Sequence, residues 1–162
     1  MDGSIVAYRA APSPLLGDLN PSSIWVWDMF SNSTIRVDGG AMGWANGSSF
    51  RPVVNADGTV VVFTSDATNL DPDGDTNGVR DILVTYPQWG TRTHRVSTAG
   101  RGCEPNGPSY LGDLSADGTL VVFESDATNL THRDRTSDTD AFVGPTRSHP
   151  PTEESNCKPV KD

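Results

Sequence analysis

Long apolar runs are missing from this 162-residue chain. Nothing in it approaches the roughly 18 consecutive apolar residues of a helical membrane span. The opening MDGSIVAYRA also lacks the basic and then apolar regions of a signal peptide. A soluble protein is expected, without membrane insertion and without its own export signal. Basic residues are scarce as well: 12 Lys and Arg stand against 21 Asp and Glu, a net charge of −9, with no basic cluster. Nucleic acid and anionic membranes, which are bound chiefly by neutralising phosphates, are thereby excluded as partners. Cysteine is reduced to Cys103 and Cys157, which leaves two arrangements open: one disulfide tying the C-terminal tail to a loop, or two free thiols.

Familiar catalytic motifs are missing too. There is no G-x-S-x-G nucleophile elbow, no H-E-x-x-H and no paired C-x-x-C, so neither a serine hydrolase nor a zinc site of those types is supported. His94, His132 and His149 fall at no spacing that suggests shared ligation and read as solvated side chains. Apolar residues make up only 35% of the chain, whereas Gly (16) and Pro (12) are plentiful. With no Ala, Leu, Glu and Lys stretch of helical type, this composition favours many short strands joined by turns. The length suits one domain.

What the chain does have is repetition. NADGTVVVFTSDATNL at 55–70 returns as SADGTLVVFESDATNL at 115–130, 60 residues later, and differs only at Asn55/Ser115, Val60/Leu120 and Thr64/Glu124. NGSSF (46–50) aligns with NGPSY (106–110), and DILV (81–84) with DAFV (140–143). A weaker copy opens the chain, where DGSIVAYRAAPSPL (2–15) matches 57–70, IWVWD (24–28) matches ILVTY (82–86), and STIRV (33–37) matches RTHRV (92–96). Each unit reads as four short strands, here termed A to D. In the middle copy, strand A covers Ser49 to Val54 and Asp57-Gly58 supplies a tight turn. Strand B, TVVVFTS, is apolar without interruption and so is expected to be buried on both faces. Strand C is DILVTY, and strand D, TRTHRVS, alternates like an outer edge strand.

The S-x-D-G turn, the V-V-F strand, the S-D-A-T-N-L loop, D-T-N-G, D-I-x-V and R-V-S together resemble the WD40-like β-propeller repeats of the TolB type. The resemblance covers residues 2–143. It implies an all-β fold, a partial propeller of about three four-stranded antiparallel blades, either open or completed by oligomerisation. Blade 1 would span about 1–40, blade 2 about 46–98 and blade 3 about 106–143. Residues 144–162 form a polar, proline-rich tail, expected to be disordered. Such propellers are often found in bacterial extracytoplasmic proteins, as binding scaffolds, accessory domains or enzyme lids. This chain departs from the family in carrying about three repeats where six or more are usual. It is therefore expected either as a truncated piece of a larger propeller, or as half of a six-blade ring formed by two copies joined head to tail.

The segment DPDGDTNGVRD (71–81) has the spacing of a calcium loop. Asp73, Asp75 and Asn77 would give side-chain oxygens, Val79 its backbone carbonyl, and Asp81 a carboxylate directly or through water. The twelfth position of that frame is Val84, so the closing bidentate glutamate is missing. The competing reading is an Asx-rich turn in which Asp, Asn and Gly serve the backbone alone. Asp66 and Asp126, placed alike in two repeats, read as loop anchors, and so do Thr68-Asn69 and Thr128-Asn129. NST (32–34) and NGS (46–48) match the short glycosylation pattern. Trp25 and Trp27 share one face of a strand and are expected in blade packing. Trp44 and Trp89, in glycine-flanked loops, are the candidate contacts for a protein or carbohydrate partner. The expected function is a non-catalytic binding scaffold acting through rim loops, with Ca²⁺ as its candidate ion. The alternatives are an enzyme or accessory domain acting on glycans, and a truncated fragment without function.

Overall fold

The computed structural model describes residues 4–11, 21–40, 42–89, 92–99, 103–131, 136 and 138–147. They form an all-β fold of small antiparallel sheets, none of them closed. The first sheet holds β1 (Ile5–Ala10), β2 (Ser23–Asp28) and β3 (Ser33–Arg36) in that order. A short hairpin of β4 (Gly39–Gly40) and β5 (Gly43–Trp44) follows. The second sheet is a four-stranded meander of β6 (Ser49–Val54), β7 (Val61–Ser65), β8 (Asp81–Thr85) and β9 (Thr93–Arg95). The third holds β10 (Ser109–Leu114), β11 (Leu120–Ser125) and β12 (Asp140–Pro145). The middle sheet thus carries strands A to D, the first sheet B to D and the third A to C.

The sheets stack face to face through two apolar layers. Because side chains alternate along a strand, β7 and β8 contribute to both. Val61, Phe63 and Leu83 pack with Ile24, Val26 and Val37 of the first sheet region. Val60, Val62, Ile82 and Val84 pack with Leu111, Leu114, Val121 and Phe123 of the third. Burying each of these side chains contributes roughly 1.5–3 kcal/mol, so the middle sheet is where the stability is concentrated.

Turn chemistry fixes the stacking distance. In both copies the Asp-Gly turn closes on itself, with Gly58 N–H donating to Asn55 O (3.1 Å) and Gly118 N–H to Ser115 O (2.8 Å). The glycines have φ of 76° and 73°, which side chains disfavour. A Cβ at Gly58 would lie 2.6 Å from Ile5 of the first sheet, and one at Gly118 would lie 2.7 Å from Asn55 of the second. Each turn therefore nests against the preceding sheet. The sheets are also joined by equivalent backbone bonds, Ser49 N–H to Ser22 O and Ser109 N–H to Arg80 O, both 2.8 Å.

Two expectations need adjusting. Order continues past residue 143, since β12 runs to Pro145 and Thr146 is buried. The reason is a set of bonds to Thr146: its N–H donates to Thr119 O, and its carbonyl accepts from Tyr86 Oη. His94, expected in solvent, lies with Nε2 3.0 Å from the same carbonyl and stacks on Tyr86. Residues 148–162, with Cys157 and His149, lie outside the described residues, as does His132.

Candidate functional site

The 71–81 loop folds around an arginine. Arg95, the last residue of β9, is 5% exposed. Its Nε lies 2.9 Å from Asp81 Oδ2 and 3.5 Å from Asp71 Oδ2, and its Nη2 lies 3.7 Å from Glu104 Oε1. Nη2 also donates to the Gly74 carbonyl at 2.7 Å. The contact with Asp81 is Coulombic, because neither Nε nor Oδ2 is aligned for a hydrogen bond. Asp81 Oδ1 instead accepts from Ser97 Oγ, whose oxygen accepts in turn from Ile82 N–H. Glu104 accepts from the backbone and hydroxyl of Thr76, and Asn77 Nδ2 donates to Pro105 O. These bonds clamp the loop to the segment leading into β10.

Three other side-chain oxygens of the loop serve its own backbone. Asp75 Oδ1 accepts from Gly78 N–H, Asn77 Oδ1 from Val79 N–H, and Asp71 Oδ1 from Asp73 N–H. Among the described residues, no group of three or more His, Cys, Asp or Glu is gathered in a way that could hold a metal ion. Of the five expected calcium ligands, Asp81 faces a guanidinium and Asn77 is spent at both ends of its amide. A calcium ion would have to compete with Arg95 for Asp81. Burial raises the Asp81 carboxyl from 3.8 to about 7, with Arg95 and the Ser97 hydroxyl pulling it down. Asp71 is also raised by burial, against the Asp73 backbone and Arg95.

Arg95 and Glu104 were not singled out from sequence. A signal existed, since Arg36 occupies the position of Arg95 in the first copy. It too meets a buried acid, with Nε 2.7 Å from Asp38 Oδ1. An arginine recurring at the end of strand D, beside acids that recur less regularly, marks a repeated ion pair.

The loop anchors expected from the repeat are present twice. Asn46 N–H donates to Asn69 Oδ1, its amide to Thr68 Oγ1, and Asn69 Nδ2 to Trp44 O. Asn106, Asn129, Thr128 and Glu104 O repeat this set. Asp66 accepts both arms of the Arg80 guanidinium, and Asp126 accepts from Thr139 Oγ1. These residues hold the long loop after strand B. Cys103 is disulfide-bonded, and Cys157 lies outside the described residues. Trp89 ends a short 3-10 turn, Pro87–Trp89, and its side chain also falls outside them.

Trp44 borders a cleft of about 450 Å³, walled by Trp25, Ile35, Arg36, Val37, Thr85 and Pro87. It opens beside β3, an edge strand of the first sheet. Trp44 and Ile35 are both exposed, at 51% and 45%, and the Arg36 guanidinium lies 4.9 Å from the centre of the Trp44 ring. That stacking orients the indole while Asp38 holds the guanidinium. The walls are otherwise apolar, with one exception. Thr85 is fully buried, and its Oγ1 has no hydrogen-bond partner among the described residues. A buried hydroxyl without a partner costs about 1–3 kcal/mol. The lining holds no nucleophile–base pair and no acid–base pair of carboxylates.

No family model matches the chain, and no curated protein matches it.

Proposed function

We propose that the chain is a non-catalytic binding module built as a partial propeller of the WD40-like, TolB-type kind, and that its cleft beside β3 takes an apolar side chain of a protein partner. The cleft is the observation that carries this reading. It is about 450 Å³, within the range of small-ligand sites, and it combines apolar walls with an oriented tryptophan. Exposed Met42 (61%) lies in the turn that joins β4 to β5 and so enlarges the apolar surface next to Trp44. Apolar surface with few donors favours protein over carbohydrate, which needs many hydrogen bonds. The disulfide at Cys103 supports an oxidising, extracytoplasmic location.

Selection from a displayed random-peptide library tests this. Peptides sharing an apolar anchor are expected, and Trp44→Ala should weaken their binding about tenfold or more. Ile35→Asp should do the same. Peptides bound equally well by both variants would overturn the reading, as would binding confined to a glycan panel or turnover of any glycan.

A further inference from the structure

Among the described residues the molecule makes the same kind of interface twice and leaves one half of it open at each end. Within the chain, the back of blade 2 (Val60, Val62, Ile82, Val84) packs on the front of blade 3 (Val121, Phe123). The front of blade 2 (Val61, Phe63, Leu83) packs on the first sheet in the same sense. The back of blade 3 carries the corresponding set, Leu120, Val122, Ala141 and Val143. Val122 and Val143 are paired across β11 and β12 just as Val62 and Val84 are across β7 and β8. Here, however, Leu120, Val122 and Val143 are 47%, 44% and 66% exposed.

At the other end, Val6 and Tyr8 align with Val61 and Phe63, the front-face pair of blade 2. They lie opposite Trp27 and Trp25 across β1 and β2, and are 41% and 39% exposed. Ile5, Ala7, Ile24 and Val26, on the opposite face, belong to the layer against blade 2. One open face is thus a valine-rich back and the other an aromatic-bearing front, the two partners that already meet between blades 2 and 3. One departure is Glu124, which stands where blade 2 has Thr64, near the end of β11.

We infer that the occupant of these faces is a second copy of this chain, joined front to back at both ends. The contact is heterologous, because the surfaces differ, and such contacts either close a ring or polymerise. Closed propellers hold about 4–8 blades, so two three-sheet copies fit and three do not. Both end sheets carry their own B and C strands, so they stack as separate blades and do not merge into one. With each copy at −9, association strengthens as salt screens the repulsion.

The test uses Val6→Lys on the front and Val143→Lys on the back, both exposed enough to leave each subunit folded. Sedimentation of the wild type is expected to give twice 17.3 kDa, and each variant alone a monomer. An equimolar mixture of the two variants should regain a dimer, since one intact back then meets one intact front. Face-to-face pairing of like surfaces would leave at least one variant dimeric alone, which would overturn the inference. So would a wild type that stays monomeric at tens of micromolar in moderate salt, or a mixture that fails to associate. Neither Val6 nor Val143 lines the cleft, so failure here leaves the proposed binding function standing, and the reverse also holds.

Discussion

Strands β7 and β11 share the run Val-Val-Phe at equivalent positions, 61–63 and 121–123, yet they live in different surroundings. All five residues of β7 are buried, whereas β11 alternates between exposed and buried along its length. The side chains are the same and only the neighbours differ. An unbroken apolar strand is therefore a code for a sheet covered on both faces, and the third sheet carries that code with one face uncovered among the described residues.

The largest expected effect sets Val62 against Val122. Val62 is fully buried between sheets 2 and 3, and Val122 is 44% exposed. Val62→Asp buries an unpaired carboxylate and should cost several kcal/mol, on the order of 3–5. Val122→Asp in the monomer should stay within about 0.5 kcal/mol, the usual range for surface changes. Phe63→Ala and Phe123→Ala should by contrast be alike, each costing about 3–5 kcal/mol, because both rings are buried. Urea denaturation of the four variants checks this. A Val122→Asp as damaging as Val62→Asp in the monomer would break the comparison.

Arg95 extends the contrast to the loops. It sits among Asp71, Asp81 and Glu104, and removing the one cation leaves buried carboxylates uncompensated. Above about pH 7, where Asp81 is ionised, Arg95→Leu should destabilise by about 3–5 kcal/mol. The exposed pair Arg80–Asp66, despite its two hydrogen bonds, should give up to about 1 kcal/mol when broken by Arg80→Leu. Thermal melts of both variants measure the difference.

Titration follows from the same burial. The folded Asp81 holds its proton up to about pH 7, against 3.8 for the ordinary group, so the folded state binds more protons across that window. Stability from this group is fully present below pH 4 and is lost as pH rises through 7. Asp117, lowered to about 2 by Ser115 and Thr119, works in the opposite sense, but only below about pH 4. Asp81→Asn should flatten the fall in stability between pH 4 and 7. An unchanged slope would show that Asp81 stays ionised against Arg95.

Much of this architecture was legible because the chain states it twice. The Asp-Gly turns, strands A to D of the middle sheet and the Asn46 and Asn106 clamps sit where the repeats place them. What stayed hidden depends on segments far apart in sequence. Arg95 lies in the alternating strand THRVS, where a guanidinium reads as facing solvent, and it is buried only because the 71–81 loop folds over it. The cleft is assembled from β2, β3, the β4–β5 hairpin, Thr85 and Pro87, and of these only Trp44 stood out in the sequence as a candidate contact. Calcium-like spacing was visible, but spacing reports which oxygens are available and not what they already bind.

The smallest expected effect concerns that loop. Asp81 is engaged by Arg95 and Ser97, Asp75 caps Gly78, and both ends of the Asn77 amide are bonded. For an ion to gain six or more oxygens here, it would have to displace a buried guanidinium and break several of these bonds, and those losses offset most of what coordination supplies. Millimolar Ca²⁺ should therefore leave the melting temperature of the wild type within error. The informative comparison is Arg95→Leu, in which the competing cation is gone while the carboxylates remain. If the loop's oxygens can cage an ion at all, calcium should raise the melting temperature of this variant and not of the wild type. A calcium-dependent rise in the wild type as large as that in the variant would show that Arg95 and the ion do not share a site.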